Sequence, residues 1–507
     1  MISKLKSLTL VGLEGHVVDI ETVIHRGLPA FIIVGLPDAS IQEARERVRA
    51  AIKQSSFEFP RGKIALNLAP ANLRKQGARF DLAIALGILE ASKQINIPDK
   101  YRDAIMIGEL SFDGKLRPVA GVLPSVHAAF LQGFKTIILP HNNAAEAHLI
   151  KGIEVIGVQS LKELCDFFVT GEGLTLPETV MAKQDNASKI FPFDFQYIKG
   201  NQLVKRGLEI AAAGGHNLLM NGPPGSGKTM LAKAYSTILP DLTFDESLDI
   251  TKVHSVAGVL KASEPVLKER PFRAVHHTAS GVAIVGGGNP PRPGEISLAH
   301  RGVLFLDEFA EFSAKTLEVL RQPLEDGVIR ISRAAGSVSY PAKFSLVAAM
   351  NPCPCGFYQD ANKDCTCAPF AVQRYRQKIS GPILDRIDLH LNVPRVEIAD
   401  LSNTALSESS RVVRVRVQKA RSHQIKRFAA TKTICNAEMD SAQVAKFCAL
   451  ESEGQALLNQ IVEKMQLSGR AYYRTLKLAR TIADLDASPK IKTSHLAEAV
   501  QYRATIS

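Results

Sequence analysis

No apolar run among the 507 residues is long enough to cross a bilayer, and Met1-Ile2-Ser3-Lys4-Leu5-Lys6 leads into alternating, strand-like sequence without a signal-peptide core. These absences argue against a membrane protein and predict a cytoplasmic one. Tandem repeats and low-complexity tracts are also missing, which sets aside repeat architectures and biased disordered tracts. Acidic residues are in deficit: 50 Asp and Glu face 62 Lys and Arg, a net charge of +12. That balance suits a polyanionic partner such as nucleic acid, although a generic basic surface would carry the same surplus. Cysteine is scarce and odd in number, seven in all, which speaks against a disulfide framework. What remains is ordinary folded material, 46% hydrophobic and 22% charged, with enough length for about two to four domains.

Residues 1–168 alternate strand-like runs (Phe31 to Val34, Lys63 to Leu68, Thr136 to Leu139) with helical stretches (Ile41 to Gln54, Leu82 to Ser92), the signature of an α/β or α+β domain. Residues 169–190 have little apolar periodicity and read as a linker. A second α/β unit occupies 191–395. From 396 to 507 the pattern is helical, with Arg411 to Arg427 dense in basic residues and Ala471 to Leu485 periodic in Leu, Ala and Ile.

The second unit carries the chemistry. Gly222-Pro223-Pro224-Gly225-Ser226-Gly227-Lys228-Thr229 matches the phosphate-binding loop in full, with an apolar strand (Asn217 to Met220) before it and a helix starting near Met230 after it. The glycines let backbone amides curl round phosphates at a helix N-terminus. Lys228 would reach the β- and γ-phosphates and Thr229 would hold Mg²⁺. Downstream, Val303-Leu304-Phe305-Leu306 reads as a buried strand delivering Asp307, a Mg²⁺ partner, and Glu308, the general base for water. The chain is therefore expected to hydrolyse a nucleoside triphosphate, with ATP the first choice.

After the acids comes a hairpin pattern, Val328 to Ser332 with a turn at 334–337, and then a strand from Phe344 to Met350 that ends in Asn351 beside the γ-phosphate position. This sequence of parts resembles the AAA+ superfamily, in the branch with a hairpin before the first sensor. The resemblance implies active sites at subunit boundaries. Arg386, in Gly381-Pro382-Ile383-Leu384-Asp385-Arg386-Ile387-Asp388, would be the finger reaching a neighbour's nucleotide, unless it merely pairs with Asp385 or Asp388. Arg470 falls where related proteins carry a second sensor arginine, and Arg474, one helical turn on, competes for that role.

More specific blocks are Leu208 to Asn217, Arg273 to Ser280, Pro293 to Gly302 and Asn351-Pro352-Cys353-Pro354-Cys355-Gly356. With them essentially the whole chain resembles the magnesium-chelatase-like ComM/YifB family. That resemblance implies a hexameric ring that spends ATP on branch migration or unwinding of single-stranded and branched DNA in natural transformation. Met106 to Gly121 resembles the proteolytic domain of Lon, so the N-terminal fold is expected to be Lon-protease-like (S5 domain 2-like). Where that protease carries its serine this chain has Arg79, and at the lysine position it has Leu123. Without nucleophile and base the domain is expected to be non-proteolytic, with Lys75 and Arg79 as phosphate contacts.

Cys353-x-Cys355 and Cys365-x-Cys367 offer four soft ligands for a tetrahedral Zn²⁺ site. His276, His277, Arg330 and Arg333 are candidate pore contacts for DNA, or solvated turn residues. A chelatase motor subunit and a protein-remodelling AAA+ chaperone remain the rival functions. The Lon-like domain, the cysteine insert and the basic charge favour the DNA motor.

Overall fold

The structure, a computed structural model, describes residues 2–172, 174, 193–261, 263–333, 336–360, 362–397, 406–466 and 468–503. In the N-terminal domain β1 (Ile2–Val11) and β2 (Glu14–His25) form a long antiparallel ladder whose Val11↔Glu14 register leaves only Gly12 and Leu13 for the turn. With β3 (Ala30–Val34), β4 (Lys63–Ala69), β5 (Ile105–Met106), β8 (Thr136–Pro140) and β9 (Glu154–Val158) they make a mixed seven-stranded sheet, in the order β3-β4-β2-β1-β5-β8-β9. A small separate hairpin joins β6 (Glu109–Leu110) to β7 (Leu116–Arg117). Strict alternation of apolar residues along β4 turns Ile64, Leu66 and Leu68 to the core. Against the sheet pack α1 (Ala39–Gln54), α2 (Asp81–Ala91), α3 (Val122–Leu131), α4 (His141–Ala147) and α5 (Leu161–Thr170). Every residue of α2 is buried, so it is the central helix of the domain.

Two expectations need correction here. A capping box of Ser160 and Glu163 starts α5, which runs to Thr170, so the first two residues of the anticipated 169–190 linker are helical. Most of that linker lies outside the described residues. Lys75 and Arg79 are not available to phosphate. Lys75 is fully buried with its ammonium on the Pro70 carbonyl, and Arg79 donates to the carbonyls of Leu8 (3.4 Å) and Ala120 (3.0 Å) and to Ser125 Oγ (3.3 Å). Their charge is spent on internal carbonyls, because burial without such partners would be prohibitive.

The central domain follows as α6 (Gln202–Gly214), β10 (Leu218–Asn221), α7 (Lys228–Thr237), α8 (Phe244–Ala257), β11 (Phe272–Val275), α9 (Gly281–Val285), a short hairpin of β12 (Gly286–Gly287) and β13 (Arg292–Pro293), α10 (Glu295–Leu298) and β14 (Val303–Leu306). Next are α11 (Ala314–Glu318), α12 (Arg321–Asp326), the hairpin β15 (Val328–Arg333) and β16 (Gly336–Pro341), β17 (Ser345–Met350), α13 (Pro369–Gln377), α14 (Gly381–Leu384) and β18 (Leu389–Asn392). The expected hairpin is present, although Ala334 and Ala335 at its tip, and the side chain of Arg333, are outside the described set. Five strands form an all-parallel sheet, β11-β14-β17-β10-β18. Its middle strands are continuous apolar runs buried on both faces, as helix-covered parallel strands must be.

Among the described residues five α-helices close the chain: α15 (Ser410–Arg427), α16 (Ser441–Phe447), α17 (Ser452–Met465), α18 (Gly469–Leu485) and α19 (Thr493–Gln501). The apolar face of α18 shares one core with α6 and α15, through Leu478, Ile482, Leu208, Ala212 and Val417. His216 on Thr481 (2.8 Å) adds a polar tie, so the helical region is fixed to the sheet domain.

Candidate active site and metal centre

Parallel pairing sets the site. Because β10 lies between β17 and β18, its C-terminal end delivers the phosphate loop beside Asn351 at the end of β17. Gly222 donates its amide to the Met350 carbonyl (3.2 Å), and a side chain there would meet the Val393 carbonyl at 2.1 Å, so only glycine lets the loop leave the strand. Lys228 Nζ donates to the Gly222 and Pro223 carbonyls (2.7 and 2.9 Å) and to Asn351 Oδ1 (3.1 Å). Burial holds its pKa below the ordinary lysine value, with Asp307 acting in the opposite sense. Thr229 Oγ1 donates to Asp307 Oδ2 (2.8 Å), and the other carboxylate oxygen accepts the Glu308 amide (2.9 Å). Ser226 and Lys228 are buried, while Pro224, Gly225, Thr229 and Met230 lie open to solvent. Lys228, Thr229, Asp307 and Asn351 thus meet in one cleft.

Glu308 stands just past β14 in the left-handed region, with φ 51°. His277, expected as a pore contact, instead has Nδ1 at 2.9 Å from the Glu308 carboxylate. The signal for this was the pairing of β11 with β14: Val275 faces Leu306, so two residues on His277 and Glu308 come level. His276 stacks on His277 at 4.2 Å between ring centroids and bonds Thr278. Arg330 is exposed on its hairpin strand.

Arg386 and Arg470 are not brought to the phosphate loop of their own chain. They meet each other through Glu325, at the wall of a cavity of about 650 Å³ that none of residues 222–230, Asp307 or Asn351 lines. Arg386 pairs with Glu325 and donates to the Pro382 carbonyl (2.7 Å), so neither Asp385 nor Asp388 is its partner. Arg470 reaches Glu325 at 2.9 Å and is otherwise exposed. Arg474 is committed to Asp388 Oδ1 (2.6 Å) and the Arg386 carbonyl (2.8 Å), which leaves Arg470 as the freer of these two arginines of α18. Arg474 heads the interactions that hold the Asp388 carboxyl well below the usual range against the opposing effect of burial.

The four cysteines of 353–367 converge. Sγ of Cys353 is 3.4 Å from Cys355 and 3.7 Å from Cys365, Cys355 and Cys365 are 3.6 Å apart, and all four sulfurs, Cys367 included, lie within 4.8 Å of one another. A tetrahedron of Zn–S bonds of about 2.3 Å has sulfurs about 3.8 Å apart, so the donor set fits Zn²⁺. The Phe357 amide is foremost in drawing the Cys355 thiol down to about 5, while Cys365 and Cys367 are pushed up, against a backbone hydrogen bond, by burial and by neighbouring Cys355, so the cluster titrates as a unit. Gly356 packs on Pro224: a Cβ there would be 2.5 Å from the proline Cδ, so the knuckle rests directly on the phosphate loop.

Profile comparison matches "Magnesium chelatase, subunit ChlI" to residues 194–401, "Subunit ChlI of Mg-chelatase" to 20–143 and "Magnesium chelatase, subunit ChlI C-terminal" to 407–503. The uncharacterized protein YifB of Escherichia coli is 45% identical over 497 residues, 97% of this chain and 95% of the relative. The competence protein ComM of Haemophilus influenzae is 43% identical over 499 residues, 98% and 96% of the two chains. The chain belongs to the magnesium-chelatase-like ComM/YifB family. Lon protease 2 of Bacillus subtilis is 35% identical over 98 residues, 19% of this chain, a partial likeness only. Family membership makes the central domain an AAA+ core of the chelatase type and implies ATP and Mg²⁺. Among the described residues no helix is long and apolar enough to cross a membrane.

Proposed function

We propose that this protein is a cytoplasmic, ring-forming ATPase, hexameric in its working state, that moves branched and single-stranded DNA during uptake and recombination. The observation that carries the reading is the pair of contacts Lys228–Asn351 and Thr229–Asp307 at the phosphate loop, in a chain of net charge +12. The name of the ComM relative, a competence protein, supports DNA as the partner. In the cleft the loop amides and Lys228 hold the β- and γ-phosphates, and Asn351 orients the attacking water. Glu308 takes its proton once released from His277. Thr229 and Asp307 hold Mg²⁺, whose charge offsets that developing on the phosphates. Arg386, assisted by Arg470, serves the nucleotide of the neighbouring subunit. Cys353, Cys355, Cys365 and Cys367 hold one Zn²⁺ that braces the segment after Asn351 against the phosphate loop.

Two experiments test this. ATP turnover with and without a synthetic four-way junction at low salt should show stimulation, and DNA binding should fall steeply as salt rises. Absence of DNA binding at low salt would favour a chelatase-type or chaperone motor. Mixing Arg386→Ala with Lys228→Ala protein should restore turnover at hybrid interfaces, and no recovery would remove Arg386 from its role across the boundary.

A further inference from the structure

The ATPase core carries two inserted hairpins, β12–β13 and β15–β16, and neither stands alone. Tyr340 of β16 donates its hydroxyl to the Pro291 carbonyl in the β12–β13 loop (2.9 Å), and Ile331 of β15 lies under Gly286. The two pack as one unit, since Ile331, Val338 and Tyr340 share a core cluster with Ile284 and Ile296. Onto that cluster pack Val11 and Leu13, the residues flanking Gly12 in the β1–β2 turn of the N-terminal domain. Gly12 itself has φ 66°, and a Cβ there would lie 2.5 Å from Val338 Cγ1. Valine is stiff about χ1, so this contact cannot give way cheaply. The turn thus presses on the back of the β15–β16 hairpin.

The other end of the domain is anchored by what stands in place of a protease centre. Glu146 is buried on α4. It accepts the amide of Leu123 (2.9 Å), the residue at the lysine position, and the hydroxyl of Ser255 on α8 of the ATPase core. Gly121 donates its amide to the Ser255 carbonyl (3.0 Å). Arg79, at the serine position, ties Leu8, Ala120 and Ser125 together immediately behind this contact. Leu248 of α8 packs against the same N-terminal cluster as Leu123 and Val126.

We propose that the N-terminal domain is a brace: its vestigial protease centre is the joint that seats it on α8, and its β1–β2 turn fixes the paired hairpins of the ATPase core. If those hairpins grip DNA, as the motor reading has it, the brace makes their movement follow the nucleotide cycle. The positional claim stands without that reading.

The test uses the full chain with Gly12→Ala and with Gly12→Ala/Val338→Ala. The first puts a Cβ into Val338 Cγ1. The second removes that methyl and leaves the new Cβ 3.5 Å from the Ser339 carbonyl, so the two variants share the backbone strain of a side chain at φ 66° and differ in the contact with Val338. Amide hydrogen exchange over 328–332 and 337–341 should quicken about tenfold or more in the single variant and return toward wild type in the double, while the β10 strand stays protected. Junction-stimulated ATP turnover should fall several-fold in the single variant and recover in the double, with unstimulated turnover within about twofold throughout. Hairpin exchange unchanged by Gly12→Ala, or a double variant as loose as the single, would overturn the brace. Wild-type protein with no junction stimulation would sink the motor reading alone and leave exchange to decide the brace.

Discussion

The N-terminal domain and the ATPase core are both α/β layers, and they use charged residues in opposite ways. In the core, Lys228, Asp307 and Glu308 each have a side-chain partner, Asn351, Thr229 and His277, at the open ends of parallel strands, the kind of contact a phosphate, a metal or a water can replace. In the N-terminal domain Arg79 and Glu146 bond to backbone groups and to a serine of the core, and nothing that binds could replace those partners. A site that does chemistry keeps exchangeable partners at a surface. One whose partners are backbone groups and a neighbouring domain's serine is closed, and suits the joint proposed above.

The contrast breaks most sharply at Glu308. Glu308→Gln should cut ATP turnover by about 10²–10⁴-fold, the usual worth of a general base, while leaving nucleotide binding nearly intact. Lys228→Ala should instead lose binding. Turnover and binding measured side by side check both, and a Glu308→Gln protein that hydrolyses at the wild-type rate would contradict the assignment. Arg79→Met should do the reverse. It should cost stability of about 3 kcal/mol, since it strips a buried charge from its acceptors and from Glu146, and leave hydrolysis intact at moderate temperature. Thermal unfolding beside turnover reads this, and Arg79 would join the chemistry if turnover fell without a shift in melting.

How far these placements could be read from sequence depends on distance along the chain. The phosphate loop, the acids and Asn351 each sit at the end of an apolar strand, so local pattern sufficed. His277 needed the β11–β14 register, and the meeting of Arg386 with Arg470 on Glu325 joins segments 61 and 145 residues apart, which no local pattern encodes. Lys75 and Arg79 misled because a basic residue reads as exposed until its acceptors are seen, and the carbonyls of Leu8 and Ala120 come from other elements. The cysteines were legible because a cluster so close in sequence has few ways to avoid converging.

Smaller effects sharpen the contrast. Purified without chelator, the protein should hold one Zn²⁺ per chain by metal analysis, and Cys353→Ser with Cys365→Ser should lose it and weaken ATP binding several-fold through Pro224 and Asn351. Zinc-free protein with unaltered binding would remove the knuckle from the site. At the joint, burial raises the Glu146 carboxyl above its ordinary pKa, against the hydrogen bond from Ser255. A raised acid contributes stability that is complete below the ordinary glutamate range and is lost as pH rises through the folded value. Stability of the N-terminal domain should therefore decline over that window, and Glu146→Gln should flatten the slope. An unchanged slope would place the titration elsewhere.

The most direct measurement is branch migration of a synthetic four-way junction by the purified ring with ATP and Mg²⁺. Wild type should resolve the junction, and Glu308→Gln should bind it and leave it in place. Junctions that remain intact with wild-type protein and ATP, or that resolve equally well with Glu308→Gln, would contradict an ATP-driven DNA motor.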